Sequence, residues 1–511
     1  MTTLTSTDPR TGAQYDTGIV SSTTADVDSA ATAAATAAAI LRTRSRDWRS
    51  GLLEAMATAL EERRERLMAV AESETGLSPA RLNGELTRTR VQLELFAEAV
   101  REGGFLEAAI DHAGETALGA QPEVRRMLIP LGPVAVFGSS NFPFAFSVPG
   151  GDTASALAAG NPVVAKAHSA HPLTSHACFE ALLDGAHRVG APEGTIGLVF
   201  GQAAGAALVR HPAITAVGFT GSLGAAQHLH AAIDEREKPI PFYGELQSVN
   251  PLIITAAALA ARSAEIAAGL ATSVTASAGQ LCTKPGIVFV PAGGAADAFA
   301  EQLADAVDAA DPGVLLNERV LFGFRDAQRE LEAAPGVRSL VGSSAAPGEP
   351  GFRVDARVLR VTAAELTHAH TVEAFGPLVL VVDYADDTEL LAALAHVPDS
   401  LTTTLHLDEQ DQAWAAGLLP RIDGSCGRLI INGFPTGVRV SWAQHHGGPW
   451  PATNTIHTSV GVTAMRRFLR PFAWQNVPAA LLPEELRDDY AAIPRRINGR
   501  LELAHAEKGR P

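Results

Sequence analysis

The alternation of short apolar runs with Ala-rich stretches constrains the fold of this chain more than any other feature. Val134-Ala135-Val136-Phe137, Val163-Val164-Ala165, Ile196 to Phe200 and Ala216 to Phe219 each read as a buried strand. Ala154 to Ala159 and Ser175 to Arg188 read as helices between them. Strands separated by helices argue a parallel sheet covered by helices. After Glu245 the alternation restarts with Pro251-Leu252-Ile253-Ile254, a helix around Arg262 to Ser277 and a strand at Ile287 to Val290, which predicts a second α/β domain.

Upstream, Thr24 to Leu77 is rich in Ala, Leu, Arg and Glu without an internal Pro, as long helices with an apolar stripe require. Asp26 and Asp28 are candidate N-terminal caps. A further helix runs from near Leu77 through Val91 to Val100 and stops at Gly103-Gly104. Arg125 to Pro130 reads as an extended segment, and Gly342 to Gly351, rich in Ser, Gly and Pro, as a surface loop.

With 511 residues the chain is too long for one core, and its 46% apolar content supplies two or three. No uninterrupted apolar run is long enough to span a bilayer, and the polar start from Met1 to Arg10 has no signal-peptide core, which predicts a soluble, unexported protein. Cys178, Cys282 and Cys426 cannot all pair within one chain and match no zinc or C-x-x-C spacing, so free thiols in a reducing cytoplasm and no metal are expected. A formal charge of −16 repels nucleic acids and anionic membranes and argues against both as partners.

The chemistry centres on Gly279-Gln280-Leu281-Cys282, preceded by Tyr243-Gly244-Glu245-Leu246 and followed by Glu373-Ala374-Phe375-Gly376-Pro377. To oxidise an aldehyde, an enzyme must first make the carbonyl carbon tetrahedral, so that an oxyanion can push hydride out; thiolate attack does this. Cys282 is the candidate nucleophile, although a lone Cys is as often a core thiol. Asn141, in Ser139-Ser140-Asn141-Phe142-Pro143, offers a fixed amide dipole to the oxyanion. Glu245 is the candidate base for the water that cleaves the resulting thioester. Taken singly, Asn141 is a turn residue and Glu245 a solvated charge more often than either is catalytic.

No G-x-G-x-x-G follows a predicted strand. Phe219-Thr220-Gly221-Ser222 instead ends a strand just before a helix near Leu223, where free N–H groups and a hydroxyl suit a pyrophosphate. Lys166 closes another strand at its carboxyl end, where an ammonium reaches a ribose or phosphate.

The ordered set Asn141, Lys166, Gly221-Ser222, Glu245, Cys282 and Glu373-x-Phe375-Gly376-Pro377 resembles the aldehyde dehydrogenase superfamily over nearly the whole chain. Glu74-Thr75-Gly76-Leu77 and Gly84-Glu85-Leu86 resemble its opening helices. Asn141 to Ser147, Lys166-Ala167-His168, Asn432 to Val438, His446-Gly447-Gly448-Pro449 and Thr458-Ser459-Val460-Gly461 are similar to its α-ketoglutarate semialdehyde dehydrogenase branch.

The resemblance implies an α/β fold with two parallel-sheet domains and a small β oligomerisation element. It implies an NAD(P)-binding domain over 1–112 and 131–248, a catalytic domain over 249–449, and an oligomerisation element with the C-terminal tail over 113–130 and 450–511, in a homodimer or homotetramer. It also implies non-acylating oxidation of an aldehyde through a thiohemiacetal and a thioester, with Asn141 and the Cys282 N–H as oxyanion hole and Glu245 activating water. Glu373 would hold the nicotinamide ribose, Phe375 would border the nicotinamide, and Lys166 and Ser222 would serve the adenosine ribose and pyrophosphate.

Where NAD-preferring relatives carry a Glu three residues after this Lys, the chain has Ser169, which removes repulsion toward a 2′-phosphate and favours NADP, with NAD possible. His168 and Ser169 are then further candidates to contact the phosphate. The branch also has Val-Glu-Val where this chain has Val438-Arg439-Val440, so Arg439 either binds a substrate carboxylate or faces solvent. Phe142, Phe434 and Trp442 are candidate tunnel walls. α-Ketoglutarate semialdehyde is the expected substrate. A medium- or long-chain or aromatic aldehyde, a thioesterase-only activity and a silent homologue are the alternatives.

Overall fold

The structure, a computed structural model, describes residues 3–311, 313–341 and 350–504. Most of the predicted surface loop, 342–349, lies outside them. The N-terminal helices are α1 (Thr24–Leu41), α2 (Arg46–Glu62), α3 (Arg64–Thr75) and α4 (Pro79–Glu102). The cap of α1 is Thr23, whose hydroxyl accepts from the Asp26 N–H while Asp26 reaches back to the Thr23 N–H. Asp26 thus completes the cap from inside the helix, and Asp28 pairs with His211 instead. Ser78 caps α4, with Pro79 at its first turn and Gly103 in left-handed conformation at its end.

Five parallel strands form the first sheet, in the spatial order Phe242–Glu245, Ala216–Thr220, Val134–Phe137, Val163–Lys166, Ile196–Val199. Val134 and Val136 face a core shared with α2 and α4, whereas Ala135 and Phe137 face the core behind α1. Both faces are covered, which is why the run is continuously apolar.

The second sheet has seven strands, ordered Arg338–Val341, Arg357–Thr362, Leu378–Tyr384, Ile287–Pro291, Pro251–Ile254, Ser400–His406, Cys426–Ile431. All pairings are parallel except that of the edge strand Arg338–Val341. Its residues divide between two cores in the same way, Leu252 and Ile254 to one and Ile253 to the other.

A third sheet joins distant segments. Val124–Pro130 pairs antiparallel with Leu469–Gln475 on one side and with Ala109–Asp111 on the other, and Arg495–Ile497 and Arg500–Glu502 complete it. The architecture is therefore α/β with two largely parallel sheets, as expected, and a third, mostly antiparallel sheet of five strands. Among the described residues no helix is long and apolar enough to cross a membrane, and the three cysteines are free.

Candidate active site

In the first sheet the chain runs outward from Val134–Phe137 to Ile196–Val199, then returns to the other side of Val134–Phe137 with Ala216–Thr220. The crevice at the carboxyl ends of those two strands is where such sheets bind ligands. A cleft of about 1010 Å³ opens there and reaches across to the segments around the second sheet that carry Cys282 and Glu373. Asn141, Lys166, His168, Ser169, Gly221, Ser222, Glu245, Cys282, Glu373 and Phe375 all line it.

Cys282 is delivered by an unusual turn. After the helix Ala256–Thr275, Ser277, Ala278 and Gly279 take φ of 52°, 54° and 68° in succession. A Cβ on Gly279 would lie 2.2 Å from the Gly376 backbone, so only Gly lets this turn pack against Glu373-Ala374-Phe375-Gly376-Pro377. Ser277 and Ala278 hold a conformation that costs about 1–2 kcal/mol for each non-Gly residue.

The sulfur of Cys282 lies 3.6 Å from His446 Nε2, and the same nitrogen lies 2.9 Å from Glu245 Oε1. Ser459 donates to Glu245 Oε2 at 2.6 Å, and the Thr458 hydroxyl accepts from the His446 N–H at 2.8 Å. Burial pushes the Cys282 thiol well above its ordinary range, and the Glu245 carboxylate adds to the rise. Burial also acts to raise Glu245, but His446 and the hydroxyl of Ser459 outweigh it and hold the carboxyl below its usual value. The resting site is thus a protonated thiol beside an ionised carboxylate. One donor atom from each of Glu245, Cys282 and His446 lies within 4.8 Å of the others, a set able to hold a thiophilic divalent ion. Sequence spacing conceals it.

Asn141 Nδ2 donates to the Gln280 carbonyl at 2.8 Å, which ties the strand-end loop to the cysteine turn and leaves its second amide proton available. Glu373 accepts from the Ser248 N–H at 3.2 Å, and burial raises its carboxyl to about 7.

At the far end of the cleft, Ser222 caps the helix Leu223–Asp234, whose N-terminus suits a pyrophosphate. Burial, and then Arg319, lower the Lys166 ammonium to about 8. Arg319 also lines the cleft and brings a second cation to that end. His168 behaves otherwise: its Nδ1 accepts from the Ala170 N–H, its ring stacks on His171, and burial holds it neutral. It offers a phosphate no charge.

The aromatic residues expected along a tunnel separate. Phe434 is partly buried and packs against the core, seated over Gly269 and 5.2 Å from His406, because Gly269 leaves room for it. Trp442 is 46% exposed and outside the cleft lining. Phe142 lies outside the lining too, under the Arg81 guanidinium and 5.1 Å from Phe146. Arg439 is exposed.

His446 and Ser459 are residues beside Cys282 and Glu245 that sequence reasoning left without a role. They stand 201 and 214 positions beyond Glu245, and nothing local signals their convergence; their only mark is membership of two short motifs.

The aldehyde dehydrogenase family model matches residues 2–449. The chain is 42% identical over 512 residues to alpha-ketoglutaric semialdehyde dehydrogenase 2 of Azospirillum brasilense, covering 98% of this chain and 96% of the relative. It is 40% identical over 482 residues to the alpha-ketoglutaric semialdehyde dehydrogenase of Acinetobacter baylyi, with 93% and 91% covered. Among solved structures, lactaldehyde dehydrogenase from Escherichia coli superposes with a TM-score of 0.79 at 22% identity, over 93% of this chain and 96% of that one.

Proposed function

The chain belongs to the aldehyde dehydrogenase family, whose members oxidise aldehydes to carboxylic acids with NAD(P), and we propose that it converts α-ketoglutaric semialdehyde to 2-oxoglutarate with NADP preferred over NAD. The convergence of Cys282, His446 and Glu245 at the cleft carries the chemistry of this reading. The two relatives at 42% and 40% identity support the substrate.

Glu245 takes the Cys282 proton, directly or through His446, and the sulfur bonds to the aldehyde carbon. The carbonyl electron pair moves to oxygen, where the Asn141 amide and the Cys282 N–H donate to it. NAD(P), when bound in the cleft, supplies the hydride acceptor. Loss of hydride from the former aldehyde carbon leaves a thioester on Cys282. Glu245 releases the Cys282 proton to solvent and, ionised again, takes a proton from water; the hydroxide attacks, the C–S bond breaks, and the acid departs as Glu245 returns a proton to the sulfur. His446 contacts both partners through Nε2, so its ring does not relay a proton between its two nitrogens.

The NADP preference is supported by Lys166 and Arg319 at one end of the cleft, with Ser169 rather than a carboxylate three positions after Lys166. Residues 1–112 and 131–248 form the cofactor unit, and 249–449 the catalytic unit, with Thr458 and Ser459 reaching into it from the tail. The third sheet, whose edge strand Leu469–Gln475 exposes Phe472, joins copies of the chain into a dimer or tetramer. Three free thiols fit a reducing compartment such as the cytoplasm.

Turnover of α-ketoglutaric semialdehyde and hexanal, followed by NADPH absorbance, tests the reading. A kcat/KM for the semialdehyde no higher than for hexanal would refute the substrate. Cys282→Ala should bind NADP yet form no NADPH, and unchanged turnover in that variant would eliminate the nucleophile.

A further inference from the structure

We propose that Arg88 is the anchor for the far carboxylate of the substrate, an oxo acid whose aldehyde and carboxylate are a few carbons apart. The inference rests on the reading above that the substrate carries a carboxylate, and it names the residue that recognises it.

Arg88 projects from α4. Its Nη1 and Nη2 are buried and have no hydrogen-bond partner among the described residues. Its guanidinium lies over the Phe146 ring, 4.9 Å from the centroid. Phe146 in turn lies 6.3 Å, ring to ring, from His446, which contacts the Cys282 sulfur. The cation therefore stands one aromatic ring away from the reacting centre. Burial acts to lower its pKa, and the charges it senses include Glu85, Cys282 and Glu245.

The nearby carboxylates are committed elsewhere. Glu85, on the same helix, accepts the N–H groups of Phe144 and Ala145 at Oε1 and Arg81 at Oε2. Glu245 is held by His446 and Ser459. A buried guanidinium with unused donors is costly unless something satisfies it. Its planar fork matches a carboxylate through two parallel N–H···O bonds. In α-ketoglutaric semialdehyde four carbon–carbon bonds separate the aldehyde from the carboxyl carbon, roughly 5 Å when extended, which carries the carboxylate away from the sulfur, and Arg88 stands over the Phe146 ring that neighbours His446. Arg439, the arginine the sequence offers for this task, faces solvent.

The test compares α-ketoglutaric semialdehyde with pentanal, a neutral aldehyde of the same chain length, in wild type, Arg88→Met and Arg88→Lys. In wild type, kcat/KM should strongly favour the acid. Arg88→Met should lower the acid-to-pentanal ratio roughly 10- to 100-fold, mainly through KM for the acid, since hydrogen bonds to a charged group carry that much discrimination. Arg88→Lys, which keeps the charge and loses the fork, should fall between. A structural role alone would depress both aldehydes and leave the ratio unmoved. If wild type prefers the acid and both variants keep that preference, Arg88 is not the anchor and the substrate reading survives. If wild type shows no preference, both fall. Should Arg88→Met fail to fold, Arg88→Lys decides: weaker competitive inhibition by 2-oxoglutarate supports the anchor, and unchanged inhibition overturns it.

Discussion

The side-chain amide of Asn250 donates a 2.8 Å hydrogen bond to the main-chain carbonyl of Cys282. The same amide reaches the Lys284 carbonyl at 3.0 Å, while its oxygen accepts from the Ser248 hydroxyl and from Thr402. Asn250 is buried with φ of 57°, a conformation that Asn tolerates better than most residues. It is therefore a positioning residue that fixes the peptide presenting the nucleophile. Asn250→Ala orphans several buried groups and places Ala in the left-handed region, so it should destabilise the protein by about 3 kcal/mol or more. Denaturant unfolding measures this. Turnover at a temperature where the variant stays folded should fall by at least about 10-fold, because small misplacements of a reacting group are expensive.

The second prediction concerns the charge beside Cys282. Burial comes first and the Glu245 carboxylate second in raising the thiol, so Glu245→Gln should move the pH profile of iodoacetamide alkylation to lower pH, with the burial contribution remaining. The same variant loses the base for thioester cleavage. At a pH where the thiol of this variant ionises to solvent, mixing it with aldehyde and NADP should give a burst of about one NADPH per site, then a slow steady state. A profile that shifts upward would mean that Glu245 chiefly removes the proton rather than repelling the thiolate.

Much of the fold is legible because strands covered on both faces must be apolar at successive positions, as at Val134 to Phe137 and Pro251 to Ile254. Gly103 ends α4 where the sequence predicts, since the left-handed cap is local chemistry. The cap of α1 is less legible, because Asp26 serves equally as cap or as third residue of a capping box, and only the backbone assigns that place to Thr23. Phe434 shows the harder limit. An aromatic beside a motif resembles a tunnel wall until Gly269, 165 positions earlier, is seen to leave a seat for its ring. Arg88 carries no motif, and what marks it is that its neighbours are already bonded to something else.

The third prediction follows from Ser169, an exposed residue at the Lys166 end of the cleft. A carboxylate there would repel a 2′-phosphate and could accept hydrogen bonds from the free ribose diol of NAD. Ser169→Glu should therefore lower the NADP-to-NAD ratio of kcat/KM by roughly 10-fold, a modest factor because solvent screens an exposed charge. An unchanged ratio would place the 2′-position elsewhere.

The fourth prediction is a pH dependence at the same end. The ammonium of Lys166 is lowered to about 8, by burial first and by Arg319 second. Below that pH Lys166 is charged and attracts a 2′-phosphate; above it the charge, and with it that attraction, is lost. The kcat/KM for NADP, which reports the free enzyme, should therefore decline relative to that for NAD as pH rises through about 8. Taking the ratio removes the ionisations of Cys282 and Glu245, which both cofactors share. Arg319→Ala removes a repelling cation, so the inflection should move to higher pH, only partly toward the ordinary lysine value because burial remains. Lys166→Met should remove the inflection, and an inflection that persists in that variant would assign the titration to another group.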